Sequence, residues 1–504
     1  MKINYIKEIN ESNVYDVAEK TPLTLLTKIS TKYENTIYLK REDLQPIFSF
    51  KCRGAYNKIS NLNKTQIAKG IIAASAGNHA QGVALSASKL NIDAKIVMPT
   101  TTPSIKIESV KKFGVQVVLF GDSFDEAYDF AVEASKKEER VFIHPFDDPL
   151  VIAGQGTVAK EIVEQSNEEP DIFFIPVGGG GLMSGMSIYL KKYYPNAKIY
   201  GVESEDAPTL HTSLENNKPT SLDQVGLFVD GCAVKRIGDE TFNISKNYVD
   251  GVILVSIDET CAAIKDIYED TRVMSEPAGA LSVAGMKKFI VSNNIKNKKI
   301  VTINSGANLN FDRLRHVTER AEIGEGREVL LSVKIPEKSG SFREFCEVIG
   351  RRSISEFNYR YASNNSANVF VGIKTDNIAE DTKKISSDLN SKNYDFIDLT
   401  KDEVAKLHLR YMVGGKPNSK INEKLFRFEF PEKPGALLNF LNKMKSDWNI
   451  TLFHYRNHGS AFGRVLVGID ILDCSEHDLG EFLTDLGYKF TDETNNKGYS
   501  SFLK

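Results

Sequence analysis

Short apolar runs alternate with amphipathic stretches from about residue 35 to residue 310. The apolar runs are four to six residues long and rich in branched side chains, as buried strands of a parallel sheet are. They occupy 71–74, 94–98, 115–120, 172–177 and 199–202. The stretches between them have the spacing of helices with one apolar face, and they include 79–90, 124–137 and 182–193. This alternation predicts an α/β fold in which helices flank a parallel sheet.

The pattern changes near residue 313, and the sequence then repeats itself. Residues 313–328 are dense in charge and contain Gly324 and Gly326, which predicts a linker helix followed by a flexible joint. Three segments return 95 or 96 positions later: 335–340 as 430–435, 354–360 as 450–456, and 371–373 as 467–469. Three ordered matches at one spacing indicate a duplicated α+β module of roughly 75 to 95 residues. In each copy an apolar strand precedes a Pro-Glu-Lys turn and an amphipathic helix follows it, at 342–349 and 437–444.

Composition and charge narrow the class of protein. Of the 504 residues, 41% are apolar and 26% are charged, the balance of a globular chain large enough for two or three domains. The formal net charge of −3 gives no electrostatic reason to expect a nucleic acid or an anionic membrane as partner. No apolar run is long enough for a membrane span, and the polar start from Met1 to Lys20 does not resemble a signal peptide. The five cysteines, scattered singly and without a CxxC pair, suggest neither a disulfide framework nor a zinc site, and a reducing cytoplasm fits.

Four consecutive glycines, at 178–181, stand between a predicted strand and a predicted helix that starts at Leu182. Glycines let successive backbone N–H groups converge on one point, and the helix N-terminus adds its positive dipole end. The run therefore predicts a phosphate-binding loop that needs no Lys or Arg, whereas a bare turn would usually need one glycine. A second motif, 154–159, has the GxGxxA form of a dinucleotide fingerprint. Residues 144–149 separate it from the preceding strand, so nicotinamide binding is not favoured.

Three further segments carry groups that could act together with a bound phosphate compound. Residues 75–79 lie where a strand gives way to a helix, and they offer a hydroxyl, backbone N–H groups and an amide to a carboxylate; simple helix capping is the alternative. A single lysine such as Lys51 is usually a solvated surface charge, but beside a phosphate site it could be the amine that attacks an aldehyde cofactor. Ser305 follows the strand 300–304, where its hydroxyl could bond a cofactor ring nitrogen or simply serve a turn.

In combination, these segments resemble the threonine dehydratases, also called threonine deaminases, of the tryptophan-synthase-β-like pyridoxal-phosphate enzymes. The resemblance is to the biosynthetic, feedback-regulated type and covers nearly the whole chain. Its motifs follow one another in the expected order: Lys40-Arg41-Glu42-Asp43, Ser49-Phe50-Lys51, the segment 75–79, the four glycines, Ser305-Gly306-Ala307-Asn308 and both tail modules. Each motif alone is weakly diagnostic, whereas the ordered set is highly specific. The resemblance implies a fold-type-II α/β catalytic region with two lobes around a cofactor cleft, followed by two α+β ACT-like modules.

The resemblance also assigns roles to residues of the catalytic region. It implies that Lys51 is the Schiff-base lysine of pyridoxal 5′-phosphate, that Asn78 bonds the phenolic oxygen of the cofactor, and that Ser305 contacts its ring nitrogen. The residues that would hold the phosphate are Gly178, Gly179, Gly180, Gly181 and Leu182. The residues that would grip the substrate carboxylate are Ser75, Ala76, Gly77, Asn78 and His79. Cys52 stands where the family often has a larger apolar residue, a mild departure that leaves the role of Lys51 unaffected.

These roles are consistent with elimination of water from L-threonine. A serine hydroxyl, unlike a carboxylate, does not keep the cofactor ring nitrogen protonated. The ring is then a weaker electron sink, and loss of a β-leaving group competes well with transamination. Lys51 is the natural base for the α proton, and the bound phosphate is available as the acid for the departing hydroxyl. The expected products are 2-oxobutanoate and ammonia, in the first step of isoleucine biosynthesis.

Some dehydratases and racemases of this family also bind a divalent metal through a Glu, a carbonyl and an Asp at E-x3-A-x-D spacing. Here Glu203 and Ala207 are present, but Thr209 occupies the Asp position. An ordinary glutamate at a strand end is therefore expected, and no metal site is predicted.

The tail modules are similar to ACT-like domains, which bind amino acids, although a purely structural role in oligomerisation is the alternative. The resemblance implies isoleucine as the effector, with valine as its antagonist, and a homotetramer in the cytoplasm. Tyr359 and Tyr455, equivalent in the two repeats, match positions associated with the effector sites. The expected domains are a catalytic domain at 1–320 and regulatory domains at 329–401 and 424–495.

Two other functions remain open at this point. A serine dehydratase or another β-eliminase could use the same scaffold, because one methyl group of the substrate is worth only about 1–3 kcal/mol of discrimination. A catalytically silent amino-acid sensor is disfavoured by the presence of Lys51.

Overall fold

The computed structural model describes residues 3–338, 340–361, 366–407, 409–412, 422–431, 436–444, 448–456, 462–470 and 476–496. The chain divides into two compact units, Met1–Gly324 and Glu325–Lys504. Among the helices described, none combines the length and the apolar character that a membrane span requires.

The first unit contains two sheets. Their strands are β1 Leu23–Leu25, β2 Thr36–Arg41, β3 Ile71–Ala74, β4 Ala94–Met98, β5 Gln116–Leu119, β6 Val141–Phe142, β7 Ile172–Pro176, β8 Lys198–Ser204, β9 Gly251–Val255 and β10 Lys299–Asn304. One sheet has the strand order β1-β2-β10-β7-β8-β9 and is parallel except for the β1–β2 pair. The other has the order β5-β4-β3-β6 and is wholly parallel. Each sheet forms the framework of one lobe, as expected for two lobes around a cleft.

Helices separate these strands. They are α1 Tyr5–Asn10, α2 Thr27–Tyr33, α3 Lys51–Ser60, α4 Lys64–Lys69, α5 Asn78–Leu90, α6 Ser104–Lys111, α7 Phe124–Lys137, α8 Pro149–Gln165, α9 Gly181–Tyr193, α10 Thr209–Glu215, α11 Asp239–Tyr248, α12 Ile257–Thr271, α13 Pro277–Asn293 and α14 Leu314–Gly324. Ser123 and Ser256 start α7 and α12 with capping boxes. The three predicted helices at 79–90, 124–137 and 182–193 are confirmed as α5, α7 and α9.

The predicted strands are confirmed in position, and one of them differs in burial. The runs 71–74 and 94–98 coincide with β3 and β4, whose apolar side chains are buried. The prediction that 115–120 is a buried strand is wrong for burial, because β5 is the edge strand of its sheet and its four residues are exposed or half-buried. Burial depends on which strands stand beside a run, which the run itself does not encode.

The GxGxxA motif at 154–159 lies inside helix α8, so it does not form a strand-to-helix turn. Its first glycine serves helix packing. A Cβ on Gly154 would lie 2.7 Å from the Arg53 carbonyl oxygen on the neighbouring helix α3. The structure thus agrees with the sequence context, which did not favour a dinucleotide site.

A fully buried ionic network lies beneath the start of α3. Lys40 Nζ pairs with Glu161 at 2.6 Å, and the Arg53 guanidinium pairs with Glu161 at 2.6 Å and with Glu42 at 2.7 Å. All four side chains are shielded from solvent. Because each charge is held by opposite charges, the network tolerates a burial that an isolated charge would not.

Replacing Glu161 with alanine should therefore destabilise the protein by about 3–5 kcal/mol, since Lys40 and Arg53 would lose a buried counter-charge. The free energy of unfolding would be measured by urea denaturation of the full chain. Glu164→Ala is the matched control, because Glu164 lies on the same helix and pairs with Lys20 at the surface. That exposed pair is worth about 0–1 kcal/mol. Equal losses in the two variants would contradict the prediction.

The second unit is one continuous sheet with helices. Its strands are β11 Glu328–Pro336, β12 Ile354–Arg360, β13 Ser366–Lys374, β14 Asp395–Asp398, β15 Glu423–Pro431, β16 Asn449–Arg456, β17 Phe462–Asp470 and β18 Phe490–Asp492. Its helices are α15 Ser341–Ile349, α16 Ile378–Ser391, α17 Glu403–Leu407, α18 Ala436–Lys443 and α19 Glu476–Leu486. The strand order is β14-β11-β13-β12-β16-β17-β15-β18, and every neighbouring pair is antiparallel.

The duplicated α+β module is confirmed, and equivalent strands join its two copies. The predicted helices at 342–349 and 437–444 appear as α15 and α18. Strand β12 of the first copy pairs with its counterpart β16 of the second, and Asn358 stands opposite His454, its own equivalent 96 positions later. One hydrophobic core contains residues of both copies. Of the two repeated turns, Ser339 and residues 432–435 lie outside the described residues.

The helix predicted in 313–328 is present, but it belongs to the first unit rather than to a free linker. Within α14, Val317 and Ala321 are buried in the core of that unit. Arg320 pairs with Asp258 of α12. Three residues, 325–327, separate α14 from β11.

The cysteines in the described residues are Cys52, Cys232, Cys261 and Cys346, each buried and free. Burial raises the pKa of all four thiols. The fifth, Cys474, lies outside the described residues.

Candidate active site

The segments that the sequence singled out come together at the carboxyl ends of strands in the two sheets of the first unit. Residues 75–79 follow β3, residues 178–181 follow β7, and Ser305 follows β10. Lys51 begins α3, and the Phe50 N–H donates to the Ser305 carbonyl oxygen at 3.3 Å, which holds the start of that helix beside the end of β10. This end of a parallel sheet is the usual ligand site of open α/β folds.

Lys51 is held as a weakly hydrated amine. Its Nζ donates to the Pro145 carbonyl oxygen at 3.0 Å and lies 5.4 Å from the centre of the Phe50 ring. Burial disfavours the ammonium and lowers the pKa of Lys51 to about 8, while Cys232 and Glu276 act in the opposite direction. An amine with this pKa has a far larger unprotonated fraction near neutral pH than a surface lysine, and the unprotonated form is the one that attacks an aldehyde.

Two carbonyl groups of the glycine loop face threonine hydroxyls. The Thr209 hydroxyl, whose proton goes to Glu203, lies 3.3 Å from the Gly178 carbonyl oxygen, and Thr241 Oγ1 donates to the Gly179 carbonyl oxygen at 2.8 Å. In a planar trans peptide the N–H of the next residue points the opposite way. The N–H groups of Gly179 and Gly180 are therefore turned away from the threonines. Gly180 has a φ of 89° and α9 begins directly after it, so the loop ends on a helix N-terminus.

The loop has no room for side chains. A Cβ on Gly179 would lie 2.2 Å from the Phe146 ring, and a Cβ on Gly178 would lie 2.9 Å from the Cys232 backbone. Glycine is thus required because these neighbours leave no space for a Cβ, and the loop offers the N–H groups of Gly179 and Gly180 as donors. This donor set fits the phosphate of pyridoxal phosphate, which needs several hydrogen-bond donors at one point.

Residues 75–79 form the turn between β3 and α5. The Gly77 N–H donates to Ser75 Oγ at 3.2 Å, and His79 Nε2 donates to the Ile143 carbonyl oxygen at 3.0 Å. Burial, with the nearby Lys51 charge, lowers the pKa of His79 to about 3, so its ring is neutral. The imidazole is anchored to the protein, and the segment would meet a carboxylate through its backbone and its other side chains. Its role in gripping the substrate stays a prediction.

Asn78 is joined to Asn308 and to Glu276, a residue that sequence reasoning missed. Asn78 Nδ2 donates to Glu276 Oε1 at 2.7 Å, and Asn78 Oδ1 accepts from Asn308 Nδ2 at 2.7 Å. Glu276 is only 4% exposed, and burial raises its pKa to about 7. In the sequence, Glu276 is an acidic residue directly before a proline that begins a helix. This is a common helix start and does not by itself indicate a functional site.

Sequence reasoning also missed residues 143–147, which stand between β6 and α8. The carbonyl groups of Ile143 and Pro145 accept from His79 and Lys51, respectively. The Phe146 ring packs against Gly179 of the glycine loop. Asp147 accepts three backbone N–H groups at the start of α11, at 3.0 to 3.2 Å. Backbone carbonyl groups are common to all residue types, so no sequence motif marks this segment.

Glu203 lies in β8 and caps the next helix. Its carboxylate accepts from Thr209 Oγ1 at 2.9 Å and from the N–H groups of Leu210 and His211 at 2.8 and 2.9 Å. Burial raises the pKa of Glu203 to about 7, and these hydrogen bonds oppose the rise. Thr209, at the Asp position of the metal motif, is thus a donor to the glutamate. In the part of the chain that the structure describes, no group of three or more His, Cys, Asp or Glu side chains is placed to hold a metal ion.

In the second unit the two predicted effector residues lie diagonally across the β12–β16 pair. Tyr359 stands opposite Phe453 and Tyr455 opposite Phe357, so the tyrosines share a face about 7–8 Å apart. The Tyr359 hydroxyl is buried and donates to the Glu337 carboxylate at 3.0 Å. Burial raises the pKa of Glu337 to about 7. The role of Tyr359 and Tyr455 in effector binding stays a prediction.

Comparison with known proteins agrees with this geometry. The family described as pyridoxal-phosphate dependent enzyme matches residues 14–306, and the family described as C-terminal regulatory domain of threonine dehydratase matches 319–409 and 414–503.

Individual relatives match over nearly the whole chain. The chain is 50% identical over 500 residues to L-threonine dehydratase biosynthetic IlvA of Pasteurella multocida, covering 99% of this chain and 97% of that protein. It is 49% identical over 499 residues to the protein of the same name from Escherichia coli, with the same coverage. The solved structure of the processed form of threonine deaminase isoform 2 from Solanum lycopersicum matches with a TM-score of 0.62 and 48% identity, covering 63% of this chain and 92% of that one. The chain therefore belongs to the biosynthetic threonine dehydratases, pyridoxal-phosphate-dependent enzymes of fold type II with two C-terminal regulatory domains.

Proposed function

We propose that this chain converts L-threonine to 2-oxobutanoate and ammonia, in the first step of isoleucine biosynthesis. The observation that carries the proposal is that the Lys51 amine, the glycine loop and the end of β10 lie together in one cleft. The resemblance further supports isoleucine as inhibitor, valine as its antagonist, and a homotetramer in the cytoplasm. For the domains we propose 1–320 as catalytic, and 329–401 and 424–495 as regulatory.

Within this proposal, each residue of the cleft has a task. Pyridoxal phosphate, when bound, supplies an electron sink for the charge left at Cα. Lys51 holds the cofactor through Nζ and, once released by the substrate amine, takes the α proton, for which its pKa of about 8 is suited. Gly178 to Leu182 hold the phosphate with backbone N–H groups, and residues 75–79 orient the substrate carboxylate. Asn78 also bonds the phenolic oxygen of the cofactor. Ser305 contacts the ring nitrogen without enforcing its protonation, which favours elimination over transamination.

The reaction balances without a further reagent. The α proton and the β hydroxyl of L-threonine leave together as water. Hydrolysis of the released enamine then takes up water and yields 2-oxobutanoate and ammonia.

The test is an assay of 2-oxobutanoate from L-threonine by the full chain with pyridoxal phosphate, with and without isoleucine. L-Serine, which would give pyruvate, is the competing substrate. We expect product from threonine at a higher kcat/KM than from serine, and inhibition by isoleucine. Activity with serine alone, or none with either, would show that the proposal is wrong, and activity indifferent to isoleucine would remove its regulatory part.

Tyr359→Phe should weaken the response to isoleucine, because it deletes the hydroxyl that donates to Glu337. One hydrogen bond is worth about 0.5–1.5 kcal/mol, so the half-inhibiting concentration of isoleucine should rise roughly 2- to 13-fold. The measurement is the ratio of activities with and without isoleucine over a concentration series. Tyr394→Phe removes a hydroxyl elsewhere in the first repeat, where the ring packs on Phe345, and serves as control. The same shift in both variants would argue against an effector role for Tyr359.

A further inference from the structure

Glu276 is a carboxylate inside the cleft that the proposed reaction does not use. It is the last residue before α13 and is almost fully buried. Its Oε1 accepts from Asn78 Nδ2 at 2.7 Å, and its Oε2 accepts from the Asn308 N–H at 3.1 Å. A Cβ on Gly306, in the turn that contains Ser305, would lie 2.4 Å from Oε1. Burial of a carboxyl costs folding free energy, and buried carboxyls with a shifted pKa are concentrated at functional sites.

The hydrogen bonds around Asn78 define which way its amide is turned. Asn78 Oδ1 accepts from Asn308 Nδ2 at 2.7 Å, and that nitrogen also donates to the Ile47 carbonyl oxygen at 2.8 Å. An amide has two donor hydrogens and one acceptor oxygen. With one hydrogen bonded to Glu276, Asn78 keeps one N–H that it can donate elsewhere. In the opposite orientation, its oxygen would face the Glu276 carboxylate and its nitrogen would face Asn308 Nδ2, so acceptor would oppose acceptor and donor would oppose donor.

We infer that Glu276 is a positioning residue, which holds the Asn78 amide so that it donates an N–H to the phenolic oxygen of pyridoxal phosphate. The inference rests on the proposed function, in which Asn78 contacts this oxygen. An ionised glutamate can only accept, whereas a glutamine can turn and present its own N–H to Asn78. A hydrogen bond donated to the phenolic oxygen favours its ionised form over its protonated form.

The charged groups that face Glu276 decide when it is ionised. Burial raises its pKa to about 7 and Asp230 adds to the rise, while Lys106 opposes it. Lys51 and the Cys232 thiol also face it. Glu276 is therefore ionised above about pH 7 and takes up a proton as the pH falls through that value. Below that pH it no longer fixes the orientation of the Asn78 amide.

The test is the absorbance of the cofactor bound to the full-length enzyme, because the ionised phenol absorbs at longer wavelength than the protonated one. In Glu276→Gln, the ratio of longer- to shorter-wavelength absorbance at about pH 8 should fall roughly 10-fold or more, the worth of a hydrogen bond to a charged group. In the wild type the same ratio should fall as the pH is lowered through about 7. Glu276→Gln should lose this pH dependence.

Asp266→Asn is the matched control, since it removes a buried carboxylate that pairs with Lys287 on α13 itself; the ratio should not change. Asn78→Ala tests the proposed function separately. If Asn78→Ala lowers the ratio while Glu276→Gln does not, the inference is overturned and the proposed role of Asn78 stands. If Asn78→Ala leaves the ratio unchanged, that role fails, and the inference fails with it. Should Glu276→Gln not fold, the wild-type titration decides, and a ratio constant around pH 7 overturns the inference.

Discussion

Replacing Lys51 with alanine is expected to abolish both the visible absorbance of bound pyridoxal phosphate and the elimination activity. The amine lies at the start of α3, against the Pro145 carbonyl oxygen, and burial makes it a better nucleophile than a surface lysine. Without it the cofactor has no covalent link at this position and the α proton has no base. Activity should fall by at least about 10³-fold, within the range that a lost general base produces. Absorbance spectra and the 2-oxobutanoate assay measure the two effects on one preparation.

Lys58→Ala is the control for this variant. Lys58 lies two turns further along the same helix and pairs with Asp148 at 2.7 Å. The control should retain both absorbance and activity. If Lys51→Ala also retains both, a different lysine holds the cofactor and the assignment is wrong.

Replacing Gly179 with alanine is expected to reduce the affinity for pyridoxal phosphate roughly 10- to 150-fold. The new Cβ would lie 2.2 Å from the Phe146 ring, and the backbone of Phe146 stands close to Gly181, so the ring has little freedom to retreat. The loop must shift instead, and its N–H groups move off the phosphate. A lost hydrogen bond to a charged group costs about 1.5–3 kcal/mol, which gives the stated range. Titration of the apoenzyme with the cofactor measures the affinity, and excess cofactor should restore part of the activity.

Gly251→Ala provides the comparison, because a Cβ there would meet only the Tyr200 ring, at an ordinary contact of 3.4 Å. Its affinity for the cofactor should match that of the wild type. If Gly179→Ala also binds the cofactor as the wild type does, the glycine run is a tight turn and holds no phosphate.

The strands that carry the site were predictable from the sequence because their pattern is local. The runs at 71–74 and 172–177 are short, branched and apolar, and each is followed at once by the residues that the site needs. The duplicated module was predictable for a similar reason, since a repeat is visible in the sequence before any contact is known. The exposure of β5 was not predictable, because it arises where, in the described part of the chain, no strand pairs with the outer side of β5.

The connections within the site could not be predicted. Glu276 and Asn78 are 198 positions apart, and the hydrogen bond between them arises only when the two lobes face each other. Residues 143–147 contribute to the site largely through backbone carbonyl groups. Every residue type has such a group, so the sequence does not mark this segment. Sequence reasoning found the residues with distinctive chemistry and missed those that hold them in place.

The pairing of β12 with β16 places each copy of the module against the other through the same strand, with Asn358 opposite its counterpart His454. Such a contact is self-complementary, as in a two-fold symmetric dimer of identical subunits. Two separate modules would assemble only above a concentration set by their affinity. One polypeptide carries both, so their encounter is intramolecular and does not depend on the protein concentration. The eight-stranded sheet can therefore form at any expression level of the protein, however dilute.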